Sequence, residues 1–268
     1  MQPTVLVYSS HDRCEYLHRT LIVERALQSP DNKSILYLPL SMRERHQQQY
    51  GYSTFEWYFR KFEKYGLRHS PFYWSEGMTR ADVDLLFSHL YHDQVVILGG
   101  GNSELGMWRY RKIGEWFYDD PDKFSRVLHE RQQRGLLTVG FSAGADQLSQ
   151  YLSSAIDEPW DNDFFGFSLA RNIMVTLHHE PGRHDELFQG ARQFQNCKVF
   201  GLPNDSGLLV SQGMLASGNR WQIIEFVIDK SWDVPRDTWH IKTRAGQKIE
   251  HFYRDGRHWA FNLSLIHI

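Results

Sequence analysis

Leu136-Leu137-Thr138-Val139-Gly140-Phe141-Ser142-Ala143-Gly144-Ala145 is the stretch that decides the fold. Four residues of strand character run into Gly-x-Ser-x-Gly, and a helical pattern follows toward Leu152. A serine between a strand and a helix needs small residues two before and two after it, because the turn is sterically tight. Such a turn lifts the hydroxyl above the sheet edge and aims helix N-terminal amides at it. The motif predicts a parallel α/β sheet with Ser142 as a nucleophile.

The segments on either side agree. Val5–Tyr8 is a short β-branched run, followed by a periodic stretch over 13–28 carrying Leu17, Leu21, Val23 and Leu27. A second strand is expected over 34–40, closed by Pro39. Phe55, Tyr58, Phe59 and Phe62 fall at i, i+3, i+4, i+7 and predict a helix over 54–65 whose aromatic face packs in the core. Helices are expected over 81–90, starting near Thr79 or Asp82, and over 122–133, stopped by Gly135. A buried strand over 94–98 enters Gly99-Gly100-Gly101. Strand–helix–strand alternation at this spacing argues a mostly parallel central sheet with helices on both faces, a three-layer αβα sandwich. Beyond residue 198 the pattern shortens: strands are expected at 199–202, 207–211, 214–217 and 222–228, then antiparallel hairpins over 239–265. The expectation is one α/β domain, 1–268, with a core to about 228 and a β-rich extension over 229–268.

Composition sets limits on function. The chain of 268 residues is 41% hydrophobic and 15% aromatic, with 30 Lys+Arg against 32 Asp+Glu and a net charge of −2. A near-neutral chain has no overall electrostatic reason to seek nucleic acid or an anionic membrane. The basic, aromatic stretch 236–258 is expected to pack on the main sheet or to make a homodimer contact. Arg109, Arg111 and Lys112, on a helix after the glycine run, read as a solvated face. Two cysteines, Cys14 and Cys197, make neither a disulfide scaffold nor a zinc pattern and suit a reducing cytoplasm. No apolar run is long enough to span a membrane, and the first residues carry no basic leader, so a cytoplasmic location is expected.

Leu98-Gly99-Gly100-Gly101-Asn102-Ser103 is the second chemical signal. Consecutive glycines let backbone amides face an anion, here the second half of an oxyanion hole beside the Ala143 amide. A phosphate loop is disfavoured because no Gly-Lys-Ser/Thr follows. The base is expected in Val175-Thr176-Leu177-His178-His179-Glu180, at a strand end on the same rim as the serine. Only one of the two histidines can reach Ser142, since neighbours on a strand face opposite ways. Asp157, Glu158 and Asp161 are candidates for the acid. His178, His179, Glu180 and His184 do not form a zinc motif, so no metal or other cofactor is expected.

The Gly-Gly-Gly-Asn loop at 99–102, Gly-Phe-Ser-Ala-Gly-Ala at 140–145 and the histidine at 178 resemble the serine peptidases that include aspartyl dipeptidase (peptidase E) and cyanophycinase. The resemblance runs from about residue 1 to 220 and takes in Gly201-Leu202-Pro203. It implies the class I glutamine amidotransferase-like fold, with Ser142 as nucleophile, His178 as base (His179 as runner-up) and Asp157 as acid. Gly100, Gly101, Asn102 and Ala143 would hold the oxyanion, and Arg183 the acidic side chain of a small peptide substrate. Two other readings stay open: an esterase using Asp205 with His240 or His251, and a binding protein without turnover.

Overall fold

The computed structural model describes residues 2–10, 14–157, 164–204, 206–218, 220–228, 250–254 and 258–262. Its main sheet has seven strands in the order β3-β2-β4-β5-β1-β8-β9. Here β1 is Val5–Tyr8, β2 Ser34–Leu38, β3 Arg68–Pro71, β4 Val95–Leu98, β5 Leu137–Phe141, β8 Ser206–Met214 and β9 Arg220–Ile228. The first five are mutually parallel, whereas β8 runs antiparallel to β1, and β9 to β8.

Every residue of β1, β2, β4 and β5 is buried, as expected of strands covered on both faces. Alternate side chains feed two separate cores. Val5, Val7, Leu36, Leu38, Val96 and Leu98 face one, with the helices Arg80–His92, Ser103–Tyr118 and Lys123–Gln133. Leu6, Tyr8, Ile35, Tyr37, Val95, Ile97, Val139 and Phe141 face the other, against Leu17, Ile22, Phe55, Tyr58 and Phe59. The aromatic face over 54–65 is therefore core, with Phe55 and Phe59 stacked 5.2 Å apart. The result is the three-layer arrangement expected from the alternation.

Thr79 caps the helix Arg80–His92 through a reciprocal capping box with Asp82, which satisfies orphan amides at the helix start. Arg109, by contrast, is not on a solvated face. It is buried and donates from Nη1 to the carbonyls of Leu40, at 2.6 Å, and Met42. The guanidinium turns inward because those carbonyls offer it acceptors.

A second, four-stranded sheet has the order β10-β11-β7-β6, where β6 is Ile173–Leu177, β7 Lys198–Leu202, β10 Glu250–Arg254 and β11 His258–Asn262. The strand that carries the histidines thus lies outside the main sheet. The expected C-terminal hairpin exists as β10 and β11, but β11 pairs parallel with β7 and so extends the second sheet rather than packing on the first. Residues 214–217 form the end and turn of the β8–β9 hairpin rather than a strand of their own, because Gly218 takes φ 82 there. The remainder of the basic stretch 236–258, with His240, lies outside the described residues. No described helix is long and apolar enough to cross a membrane.

The parallel sheet tolerates its sharpest turn because two backbones touch. A Cβ on Gly144 would sit 2.0 Å from the Leu98 carbonyl oxygen. Gly144→Ala should therefore lose roughly 1–3 kcal/mol of stability through overpacking. This would be read as a lower urea midpoint; a wild-type midpoint would contradict the close approach.

Candidate active site

Parallel register brings the carboxyl ends of β1, β4 and β5 to one rim, with Leu98 opposite Gly140 and Tyr8 opposite Phe141. Ligand sites of α/β sheets form at that rim. Ser142 follows β5 at once, with φ 48 and ψ −123, and the helix Ala143–Leu148 starts after it. A serine in this sparsely populated region costs about 1–3 kcal/mol and persists only when its surroundings over-determine it. They do so here. The Ser142 amide donates to Tyr8 O at 3.0 Å, and its carbonyl accepts from Ala145 at 2.9 Å and Asp146 at 3.2 Å.

The second sheet supplies the partner. In β6 and β7, Leu177 pairs with Leu202, so His178 and Asn204 leave their strands at the same end. His178 Nε2 lies 3.3 Å from Ser142 Oγ, and His178 Nδ1 lies 2.5 Å from Asn204 Oδ1. An amide oxygen can only accept, so Nδ1 carries the proton and Nε2 is left as the acceptor facing the serine. The His178 backbone is itself held in the left-handed region, φ 51, and its amide donates to Ser9 Oγ at 2.7 Å.

His179, the runner-up base, points the other way. It is buried against Gly201, where a Cβ would lie 2.6 Å from the ring, and Nδ1 meets Thr176 Oγ1 at 3.2 Å. Burial, helped by the charge of neighbouring His184 and Arg183, pushes its pKa down to about 3. Asp157 does not reach His178. It is exposed, at the end of the short turn Ser153–Ile156, and its electrostatic neighbour is Glu186. The place expected for a carboxylate is taken by Asn204. The other acid candidates, Glu158 and Asp161, lie outside the described residues, as does Asp205; the side chain of His251 is also undescribed.

The glycine loop stands beside the serine. A Cβ on Gly100 would be 3.2 Å from Ser142 Cβ and 2.7 Å from the Tyr50 hydroxyl. Gly99 N donates to Leu38 O and Asn102 N to Ser41 O, each at 2.9 Å. The amides between them, of Gly100 and Gly101, make no such bond among the described residues, nor does that of Ala143 in the first turn of the elbow helix. Gly101 has φ 133 and its backbone packs on Ser41 O, where a Cβ would be only 2.3 Å away. Asn102 has a different task from the expected one. Its side chain caps the helix Ser103–Tyr118 by accepting from Leu105 N at 2.6 Å.

Arg183 is likewise occupied. Nη1 donates to the carbonyls of Leu177 at 2.7 Å and His178 at 3.2 Å, and Nη2 pairs with Glu186 at 2.7 Å. It ties down the chain carrying the histidine. Among the described residues no group of three His, Cys, Asp or Glu is placed to hold a metal ion. Asn204 and Ser9 escaped the sequence reading. The only signal for Asn204 was its place one residue beyond Gly201-Leu202-Pro203, at a strand end on the serine's rim.

Known proteins resemble the chain in sequence family and in fold. The model of peptidase family S51 matches residues 5–217. A solved peptidase from an acI-B1 Actinobacterium superposes with a TM-score of 0.55 at 13% identity, covering 85% of this chain and 97% of that one. At that identity the likeness concerns the fold. No curated protein sequence matches the chain significantly.

The buried His179 predicts an acid weakness. Its folded pKa lies below the unfolded value, so its stabilising contribution is complete above about pH 6.5 and is lost as pH falls from there toward 3. Wild type should lose about 1.4 kcal/mol per pH unit from this group between pH 6 and 4, and His179→Phe should flatten that slope in urea titrations. Parallel slopes would contradict the burial.

Proposed function

Because the chain belongs to peptidase family S51, we propose that it is a serine peptidase that hydrolyses small peptides through Ser142, His178 and Asn204. The observation that carries the reading is the 3.3 Å approach of His178 Nε2 to the Oγ of a serine held at φ 48. In the proposed reaction Ser142 Oγ attacks the peptide carbonyl while His178 Nε2 takes its proton. The oxyanion that forms is met by the amides of Ala143 and of Gly100 or Gly101. His178 then returns the proton to the leaving amine, and water, activated by the same nitrogen, hydrolyses the acyl-enzyme.

Asn204 orients the ring and fixes its tautomer, the task that a carboxylate performs in Ser-His-Asp sites and an asparagine in Cys-His-Asn ones. It offers the imidazolium no countercharge. The chemistry therefore leans more on the oxyanion amides than in a carboxylate triad.

The acidic preference implied by the resemblance rested on Arg183, and two carbonyls and Glu186 already engage that guanidinium. We assign Arg183 to positioning His178. The esterase reading requires a base other than His178, whereas His178 faces the serine.

A panel of X-Ala dipeptides and short peptides, including Asp-Ala and β-Asp-Arg, tests this function. Ser142→Ala should abolish turnover, and Asn204→Ala should lower kcat by roughly 10²–10⁴-fold, the range of general-base contributions, with KM little changed. A Ser142→Ala variant that still turned over at the wild-type rate would refute the serine mechanism. Arg183→Met should lower turnover of acidic and neutral substrates by the same factor. Loss confined to Asp-X substrates would instead return Arg183 to substrate binding.

A further inference from the structure

A buried glutamine that the reaction itself does not use joins the elbow helix to the glycine-loop side. Gln147 sits on the elbow helix one turn after Ala143, fully buried. Residues four apart share a helix face. Its Nε2 donates to Ser41 Oγ at 2.9 Å and to the Ser103 carbonyl at 2.8 Å. Both acceptors belong to the glycine-loop side. Ser103 opens the helix after the loop, and Ser41 lies directly beneath it, its carbonyl accepting from Asn102 N. Arg109 grips the carbonyls of Leu40 and Met42, on either side of Ser41, so the seat under the loop is fixed.

The fold also keeps a space for this crossing. A Cβ on Gly106 would lie 2.1 Å from Gln147 Nε2 and 2.4 Å from Ser41 Oγ. The helix Ser103–Tyr118 is thus without a side chain where the glutamine passes.

We propose that Gln147 is a positioning residue: its amide, clamped between Ser41 and Ser103, sets the separation between the Ala143 amide and the Gly100–Gly101 amides. This rests on the reading of Ser142 as the nucleophile. The physical reason is the narrowness of the requirement. Oxyanion donors act at about 2.7–3.1 Å from the charge that develops, and a misplacement of about 1 Å costs on the order of 10²-fold in rate. The two donor sets come from different elements, the helix after β5 and the loop after β4. Gln147 is a polar side chain that bolts one to the other, beside the contact of Asp146 on the same helix with the Ser103 hydroxyl.

A side chain that merely fills the core would affect stability alone, so the test separates the two roles. Gln147→Met keeps the length and removes the donors, and Ser41→Ala removes one acceptor. For each full-length variant the thermal midpoint is measured, together with the second-order rate of Ser142 labelling by a fluorophosphonate probe. The KM and kcat are then determined on a peptide that the wild type cleaves. Expected for Gln147→Met, below its melting temperature, is a fall of roughly tenfold or more in labelling rate and kcat, with KM within about threefold. Ser41→Ala should fall in the same direction by less. It carries the test if Gln147→Met does not fold. A folded variant that labels and turns over at the wild-type rate, whatever its midpoint, would overturn the proposal. A wild-type chain that the probe does not label would overturn the nucleophile reading, and this proposal with it. Labelled wild type with unaffected variants would defeat the clamp alone.

Discussion

The turn at Ser142 is the constraint on which the site depends. A non-glycine residue at φ 48 is unfavourable, and it is held there by hydrogen bonds to Tyr8, Ala145 and Asp146 and by backbone packing that leaves no room for relaxation. On Gly140 a Cβ would meet the Gly144 carbonyl at 2.2 Å, and on Gly144 the Leu98 carbonyl at 2.0 Å. Strand, turn and helix are therefore locked together at the level of the main chain. Local strain of this kind is offset by the burial of β1, β4 and β5 on both faces, where two apolar cores press on the sheet. The serine is presented because the rest of the sheet cannot yield.

The proposed base, His178, arrives from a different layer. β6 and β7 belong to their own sheet, which shares an apolar core with the main one, Phe200 packing on Phe226, and the end of β6 is tied to the main rim by His178 N on Ser9. The contact between Ser142 and His178 is thus a contact between sheets. That makes the fixing of the His178 loop as important as the fixing of the serine. Arg183 holds its carbonyls, Ser9 its amide and Asn204 its ring. The Ser9 and Asn204 anchors are neutral hydrogen bonds worth about 1 kcal/mol net each and the charge-assisted Arg183 bonds about 1.5–3, and together they keep an exposed histidine in one geometry.

How much of this could be read from sequence follows from the range of the interactions. The three-layer order was legible because buried parallel strands and amphipathic helices leave periodic signatures, and Gly140 to Gly144 carry the elbow in five adjacent residues. His178 was legible as a histidine at a strand end. Its third partner was not. Asn204 and His178 are 26 residues apart and meet through the register of β6 with β7, which periodicity does not encode. The family resemblance led instead to Asp157, which the structure leaves exposed near Glu186. Arg109 misled for a related reason. Its helical position suggested solvent, but the carbonyls that draw it inward come from the loop after β2, nearly seventy residues earlier. The second sheet was missed because short strands late in the chain carry no mark of which sheet they join.

The central claim is that Ser142, His178 and two sets of backbone amides form one acyl-transfer site, and a structure of the full chain with a peptide boronic acid tests it most directly. The account predicts a covalent bond from boron to Ser142 Oγ. One boronate oxygen should lie about 2.7–3.1 Å from the amides of Ala143 and of Gly100 or Gly101, with His178 Nδ1 still on Asn204. A boronate bound elsewhere, or bonded to Ser142 with its oxygens turned away from those amides, would contradict it.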